Sequence, residues 1–174
     1  MLLSFVLCVV LIGADQLIKY LVSSSLAPNG AATFIPGVAE LRYYENNGAA
    51  FSIMQGKQGF LIAVTGLALL GAVIYVLRFH KLKGFWEHAA FILVFSGGVG
   101  NLIDRVSNGY VVDYVNLIFM RFAVFNLADV MVCVGFAFLV VAVFRHEMMV
   151  RKQEKEKPNE AEAAMDGPDS HGND

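Results

Sequence analysis

Residues 97–105 read Gly97-Gly98-Val99-Gly100-Asn101-Leu102-Ile103-Asp104-Arg105 and close an apolar run that begins at residue 88. Positions 97, 101 and 105 share one face of a helix at i,i+4 steps, and the glycines allow close backbone approach. The glycines therefore predict a seam where this helix packs on a neighbour. Asp104 and Arg105 would then only end the helix at the membrane interface. This structural interpretation does not account for Asn101, so a functional role for Asn101 and Arg105 stays open as well.

Four apolar stretches are candidates for membrane-spanning helices, at residues 2–22, 60–77, 88–103 and 122–144. A bilayer core about 30 Å thick needs roughly 20 apolar residues in a helix. The 174-residue chain is 57% hydrophobic and only 16% charged, which excludes a disordered chain. Its net charge of −2, with no basic stripe, gives no reason to expect nucleic-acid binding. We predict an all-α membrane protein with four transmembrane helices in one domain, over residues 1–150.

The first apolar stretch has two possible fates. A cleaved signal peptide has a basic start and a small-residue cleavage site, and residues 2–22 have neither. The stretch also contains Asp15 and Lys19, which a signal peptide does not need. We expect it to be retained as the first helix.

Basic residues predict how the spans are oriented. Lysine and arginine collect at 78–83, after the second span, and at 145–152, after the fourth. Short cytoplasmic segments carry an excess of these residues. Both termini are therefore expected in the cytoplasm, with loops 23–59 and 104–121 outside.

The segments outside the spans differ in composition. In the first outer loop Pro36-Gly37 marks a turn, and residues 38–44 are rich in β-branched and aromatic side chains. A short strand or hairpin on the membrane surface is predicted there. Residues 151–174 mix charged residues with proline and glycine and show no apolar periodicity, which predicts a disordered cytoplasmic tail.

Ionisable side chains inside a span cost roughly 2.5–3.5 kcal/mol each on insertion scales, so each needs a partner or a role. Asp15 and Lys19 lie i,i+4 apart, acid first, and are placed to pair. An ion pair that only holds the helices together and a substrate-facing role both remain open. Asp129 is predicted about 10 Å inside the outer end of the fourth span, with Asn126 on the same helix face.

Asp113, after the third span, and Asp129 form the most informative pair. Two carboxylates a few Å apart share one proton, because both cannot ionise together. One can then take a proton from water while the other stabilises an oxyanion, which is the chemistry of an aspartic peptidase. Spacing alone does not bring the two together, so ion-path carboxylates of a small channel or transporter subunit remain the alternative. An assembly factor packed by the glycine seam would leave both aspartates unexplained.

The histidines argue against a metal site near these carboxylates. They are His80, His88, His146 and His171, all on the predicted cytoplasmic side or in the tail. A zinc site beside the outer carboxylates is therefore not expected. No cofactor is expected either.

Five separated motifs follow one another along the chain. They are Asp15-x-x-x-Lys19, Asn46-x-Gly48-Ala49-Ala50-Phe51, the segment 97–105, Val112-Asp113 and Phe125-Asn126-x-Ala128-Asp129. In this order and topology they resemble lipoprotein signal peptidase, the bacterial signal peptidase II. The resemblance runs from about residue 10 to residue 144, so it does not reach the charged tail.

The resemblance implies an inner-membrane aspartic endopeptidase with Asp113 and Asp129 as its catalytic pair. Such an enzyme removes signal peptides from diacylglyceryl-modified prolipoproteins, cutting just before the lipidated cysteine near the outer face. The positions that resemble substrate-binding residues are Asp15, Lys19, Asn46, Asn101, Arg105 and Asn126. The resemblance also implies a β-rich cradle in the first outer loop, contact with membrane lipid and inhibition by globomycin-type cyclic peptides.

Overall fold

The chain folds into four long helices and one small sheet. The computed structural model describes residues 2–27, 30–48, 54–79 and 84–165, with side chains as far as 152. The elements are α1 (Leu2–Leu26), β1 (Ala31–Ile35), β2 (Ala39–Asn46), α2 (Gln58–Phe79), α3 (Phe85–Ser107), β3 (Val111–Leu117) and α4 (Leu127–Met165). All four helices contain a stretch long and apolar enough to cross a bilayer. The predicted all-α membrane fold is confirmed.

Helix α3 is the centre of the bundle, since it contacts α1, α2 and α4. Its glycines face two of these neighbours. A Cβ atom at Gly97 would collide with the carbonyl oxygen of Ala128 on α4, and one at Gly100 would lie 2.5 Å from a carboxylate oxygen of Asp15 on α1. The predicted seam is confirmed, and its small residues let both neighbours approach the α3 backbone.

The three strands form an antiparallel sheet in the order β1-β2-β3. The turn between β1 and β2 contains Gly37, whose φ of 76° suits glycine. This hairpin confirms the β element that was predicted between the first two spans. The third strand was not predicted, because it comes from the distant loop after α3 and pairs with β2 by placing Asp113 opposite Tyr44.

The fourth helix begins at Leu127, five residues later than predicted. The intervening residues are extended, and the backbone of Phe125 pairs with Val115 of β3 through bonds of 2.8 and 3.1 Å. Asp129 therefore lies in the first turn of α4 and not deep inside a span. The depth predicted from the apolar run was wrong because apolarity alone does not distinguish this extended segment from a helix.

Helix α4 continues to Met165, across the predicted boundary at 150. The predicted disorder of the tail stays a prediction, and residues 166–174 lie outside the described part of the chain. Residues 151–165 are rich in Glu, Lys and Ala, which have high helix propensity, whereas Pro158 within this segment opposes a helix.

We predict that Gly97→Ala lowers the stability of the protein, by about 1–3 kcal/mol, because the added methyl group forces α3 and α4 apart. The measurement is thermal unfolding in detergent. Gly66→Ala on α2 is the control, since a Cβ atom there meets nothing within 4 Å. Equal stability of the two variants would contradict a tight seam.

Candidate active site

The ammonium group of Lys19 is buried between α1 and α3 with three acceptors around it. Its Nζ lies 2.9 Å from Asp15 and 3.0 Å from Asp104, and it donates a 2.9 Å hydrogen bond to Oδ1 of Asn101. Only 4% of the Lys19 side chain is exposed. The predicted Asp15–Lys19 pair is confirmed, and it is part of a larger buried cluster.

The two carboxylates of this cluster also bind backbone amides. Asp15 accepts a 3.1 Å hydrogen bond from the N–H of Ala128 at the start of α4. Asp104 accepts one of 3.1 Å from the N–H of Val112 in β3. Each of these amides precedes an aspartate of the predicted pair by one residue. The buried cluster therefore positions both backbone segments that carry the pair.

Asn126 and Asp129 cap the start of α4 reciprocally. Oδ1 of Asn126 accepts a 2.9 Å hydrogen bond from the N–H of Asp129, and Oδ2 of Asp129 accepts one of 3.1 Å from the N–H of Asn126. This is a capping box with aspartate in the third helical position. The partial positive charge of the helix N-terminus also favours an anion there.

Side-chain amides link the two aspartates. Nδ2 of Asn126 donates a 2.7 Å hydrogen bond to Oδ1 of Asp113, and Nδ2 of Asn101 donates one of 2.8 Å to Oδ1 of Asp129. Asn126 also donates to Oδ1 of Asn101 at 3.1 Å. The structure therefore brings Asp113 and Asp129 into one hydrogen-bonded site.

Asn46 and Arg105 complete this site from two sides. Asn46 donates a 2.8 Å hydrogen bond to Oδ2 of Asp113. Arg105 donates one of 3.1 Å to the carbonyl of Gly48, while its buried Nε has no partner among the described residues. All eight predicted site residues thus lie together. The other residues of the second motif, 49–51, lie outside the described residues.

A groove of about 1600 Å³ runs from this site along the bundle. The helices α2 and α4 form its walls, and α3, which contacts both, lies between them. Apolar residues line most of the groove, among them Val64, Ala68, Phe91, Phe95, Val130 and Leu139. One end is polar and carries Asn46, Asn101, Arg105, Asp113 and Asp129.

Comparison with known proteins assigns the family. A match to the family described as signal peptidase (SPase) II spans residues 7–145. The chain belongs to the signal peptidase II family. Lipoprotein signal peptidases of Streptococcus pyogenes serotypes M6 and M2 are each 44% identical to it over 144 residues, covering 82% of this chain and 94% of theirs.

Two solved structures share the fold of this chain. Two structures described as a bacterial membrane enzyme, obtained by the in meso method at 2.3 and 1.9 Å resolution, are each 30% identical to this signal peptidase. Their TM-scores are 0.77 and 0.74. The alignments cover 83% and 82% of this chain and 89% and 93% of the two solved chains.

Gln16 and Asp104 belong to the site of this signal peptidase, although neither is predicted as a site residue from the sequence. Nε2 of Gln16 donates a 3.1 Å hydrogen bond to Asp104 and one of 3.2 Å to the carbonyl of Gly100. A signal for Asp104 existed, because it follows Gly100 by four residues and therefore faces α1 with it. The sequence contains no such signal for Gln16, because a neutral amide next to a charged pair does not indicate a site residue.

The two aspartates have different environments. Asp113 is fully buried, whereas Asp129 is partly exposed in the groove. Burial, and after it the negative charge of Asp129, raise the pKa of Asp113 to about 7, against the hydrogen bonds from Asn46 and Asn126, which lower it. Around neutral pH, Asp113 therefore holds a proton in a substantial fraction of molecules.

We predict that Lys19→Met destabilises this signal peptidase by about 3–5 kcal/mol, because it leaves two buried carboxylates without their cation. Arg42→Met is the matched control. Arg42 forms a 3.5 Å ion pair with Glu40 at the surface, with 58% of its side chain exposed. Loss of such an exposed pair costs at most about 1 kcal/mol. Unfolding curves that shift equally in the two variants would contradict a structural role for the buried ammonium.

Proposed function

We propose that this signal peptidase II is an aspartic endopeptidase in which Asp113 and Asp129 are the catalytic pair. As a member of its family, the protein removes signal peptides from prolipoproteins. The observation that carries the proposal is that both carboxylates meet at the polar end of an apolar groove. In our proposal, the substrate is diacylglyceryl-modified and is cut just before its lipidated cysteine.

The two carboxylates have complementary roles in this mechanism. Asp129, the more exposed of the two, takes a proton from a water molecule as the water oxygen attacks the scissile carbonyl carbon. Asp113 gives its proton to the carbonyl oxygen, which forms a tetrahedral diol. Asp129 then returns its proton to the leaving nitrogen while the C–N bond breaks, and a hydroxyl of the diol gives its proton back to Asp113 as the product carboxyl group forms. The raised pKa of Asp113 supports its role as the acid.

The surrounding amides and the guanidinium group hold the substrate and the pair in place. Asn46, Asn101 and Asn126 each donate a hydrogen bond to one of the aspartates, so they fix the carboxylate orientations. Arg105 contributes a buried Nε–H without a partner among the described atoms, which supports a contact with a substrate carbonyl. Asp15 and Lys19 act indirectly: Asp15 holds the backbone of Ala128, and Lys19 holds the side chain of Asn101.

Orientation in the membrane follows from the basic residues at the helix ends. We place both termini in the cytoplasm and the active site near the outer face of the bacterial inner membrane, because the basic segments 78–83 and 145–152 lie at the carboxyl-terminal ends of the second and fourth candidate spans. The peptidase domain then covers residues 1–150, which agrees with a family match that ends at 145. The exposed apolar side chains of Phe34 and Ile35 in β1, and of Phe119 just after β3, support contact of this region with membrane lipid.

We also propose that globomycin-type inhibitors bind at this site, as the family resemblance implies. A cyclic peptide offers carbonyl and N–H groups to the two carboxylates, and it offers apolar side chains to the groove. An ion path, the alternative, needs polar groups along the whole span. The apolar lining of the groove between its two ends does not favour that reading.

The decisive test is substitution of the pair. Asp113→Asn and Asp129→Asn should each abolish nearly all cleavage of a diacylglyceryl-modified prolipoprotein by purified protein, because an amide cannot accept and return the proton. The double variant should be hardly slower than either single one, since the two residues act as a unit. Glu45→Gln in β2 is a control that removes a carboxylate charge at an exposed position outside the site. A folded single variant with near wild-type turnover would refute the assignment.

The pH dependence of kcat/KM tests whether a protonated Asp113 is needed for cleavage. Because the pKa of Asp113 is raised to about 7, its proton is retained below that pH and lost above it, so kcat/KM should fall as pH rises beyond about 7. Asn46→Leu removes a hydrogen bond that stabilises the ionised carboxylate. In this variant the alkaline fall in kcat/KM should therefore begin at a higher pH. If the fall stays at the same pH or moves to a lower one, a group other than Asp113 causes it.

A further inference from the structure

The groove that begins at the aspartate pair has a second polar end. Glu87 in the first turn of α3, together with His146 and Glu147 of α4, lines the groove at the end away from Asp113 and Asp129. The apolar lining between the two ends comes from all three helices. One continuous cavity therefore joins the reaction site to an acidic mouth.

The distance between the two ends suits a helical ligand. Along α4, Asp129 and Glu147 are separated by about 27 Å at 1.5 Å per residue, which is the length of a helix of roughly 18 residues. The walls from α2 and α4, with α3 between them, form a groove that runs along the bundle in the same direction as its helices. A signal peptide consists of a basic segment, then 7–15 apolar residues and then the cleavage site. Its apolar part and flanks match the groove in length and polarity.

The acidic mouth of the groove lies next to chain segments that are rich in basic residues. Lysine and arginine dominate the flanking segments 78–83 and 145–152, yet the groove lining at this end contains two glutamates and a histidine. Glu147 lies 3.7 Å from Arg151, with 57% and 76% of their side chains exposed, so this pair contributes little and leaves the carboxylate available. No ion pair involves Glu87 within the described residues.

We infer that Glu87 and Glu147 form a subsite for the basic segment of the signal peptide, whose apolar helix lies in the groove with its far end at Asp113 and Asp129. The inference rests on the proposed function, because it requires the substrate to be cut at that pair. Opposite charges at the mouth fix the direction of the helix in the groove. They also set the number of residues between the basic segment and the bond that is cut.

The test is a charge-reversal cycle with purified components. Glu87→Lys/Glu147→Lys should lower kcat/KM for a lipid-modified prolipoprotein with a lysine-rich start by about tenfold or more, mainly through KM, because like charges now meet at the mouth. A substrate whose starting lysines are replaced by glutamate should regain most of that loss. Glu162→Lys, about four turns farther along α4, is the control for added positive charge and should leave both substrates unaffected.

A second pair of variants tests the groove itself. Cys133 lines the groove one turn beyond Asp129, whereas Val141 on the same helix is exposed outside it. Cys133→Trp should raise KM several-fold for every substrate, because the indole fills space that the signal helix needs, and Val141→Trp should not. If the two tryptophan variants behave alike, the groove holds only bilayer lipid and the inference is wrong.

The outcomes separate the inference from the proposed function. If wild-type protein cleaves the substrate but responds neither to the charge of the substrate start nor to the glutamate substitutions, the acidic subsite is refuted and the catalytic proposal stands. If wild-type protein cleaves no prolipoprotein, the catalytic proposal itself fails. If the double lysine variant does not fold, wild-type enzyme is assayed with the substrate whose starting lysines are replaced by glutamate. A KM equal to that of the lysine-rich substrate would then refute the acidic subsite.

Discussion

A single buried ammonium group, that of Lys19, is the constraint on which the rest of the structure depends. A cation out of water requires acceptors on every side, and here they come from α1 and α3. Those acceptors in turn bind the backbone N–H groups of Ala128 and Val112. The need to neutralise one charge thus sets where α4 begins and where β3 runs, and with them the positions of both aspartates.

The same arrangement explains why the site uses so many asparagines. An asparagine side chain donates and accepts at once, so it connects groups that a carboxylate alone would repel. Asn126 caps a helix with its oxygen and holds Asp113 with its nitrogen. Asn101 accepts from Lys19 and donates to Asp129. Two acidic groups can therefore stand close together in this network.

Much of this site is readable from the sequence, and the limits have physical causes. Charged residues inside apolar runs are costly, so Asp15 and Lys19 stand out, and the i,i+4 spacing predicts their contact. Glycines at 97 and 100 likewise predict the close helix seam.

Hydropathy does not distinguish an extended apolar segment from a helix, so the predicted start of α4 and the predicted depth of Asp129 were wrong. The pairing of β3 with β2 depends on contacts distant in sequence, which local patterns do not contain.

The groove has exposed residues such as Val64 and Leu139 on its walls, so it opens sideways along the bundle. A ligand that is itself embedded in the bilayer reaches such a groove without leaving the hydrocarbon phase, and no apolar surface needs to be hydrated on the way. Encounter then takes place in two dimensions. The quantity that governs the rate is the number of substrate molecules per unit area of membrane, so dilution of the surrounding water leaves it unchanged, while added lipid lowers it.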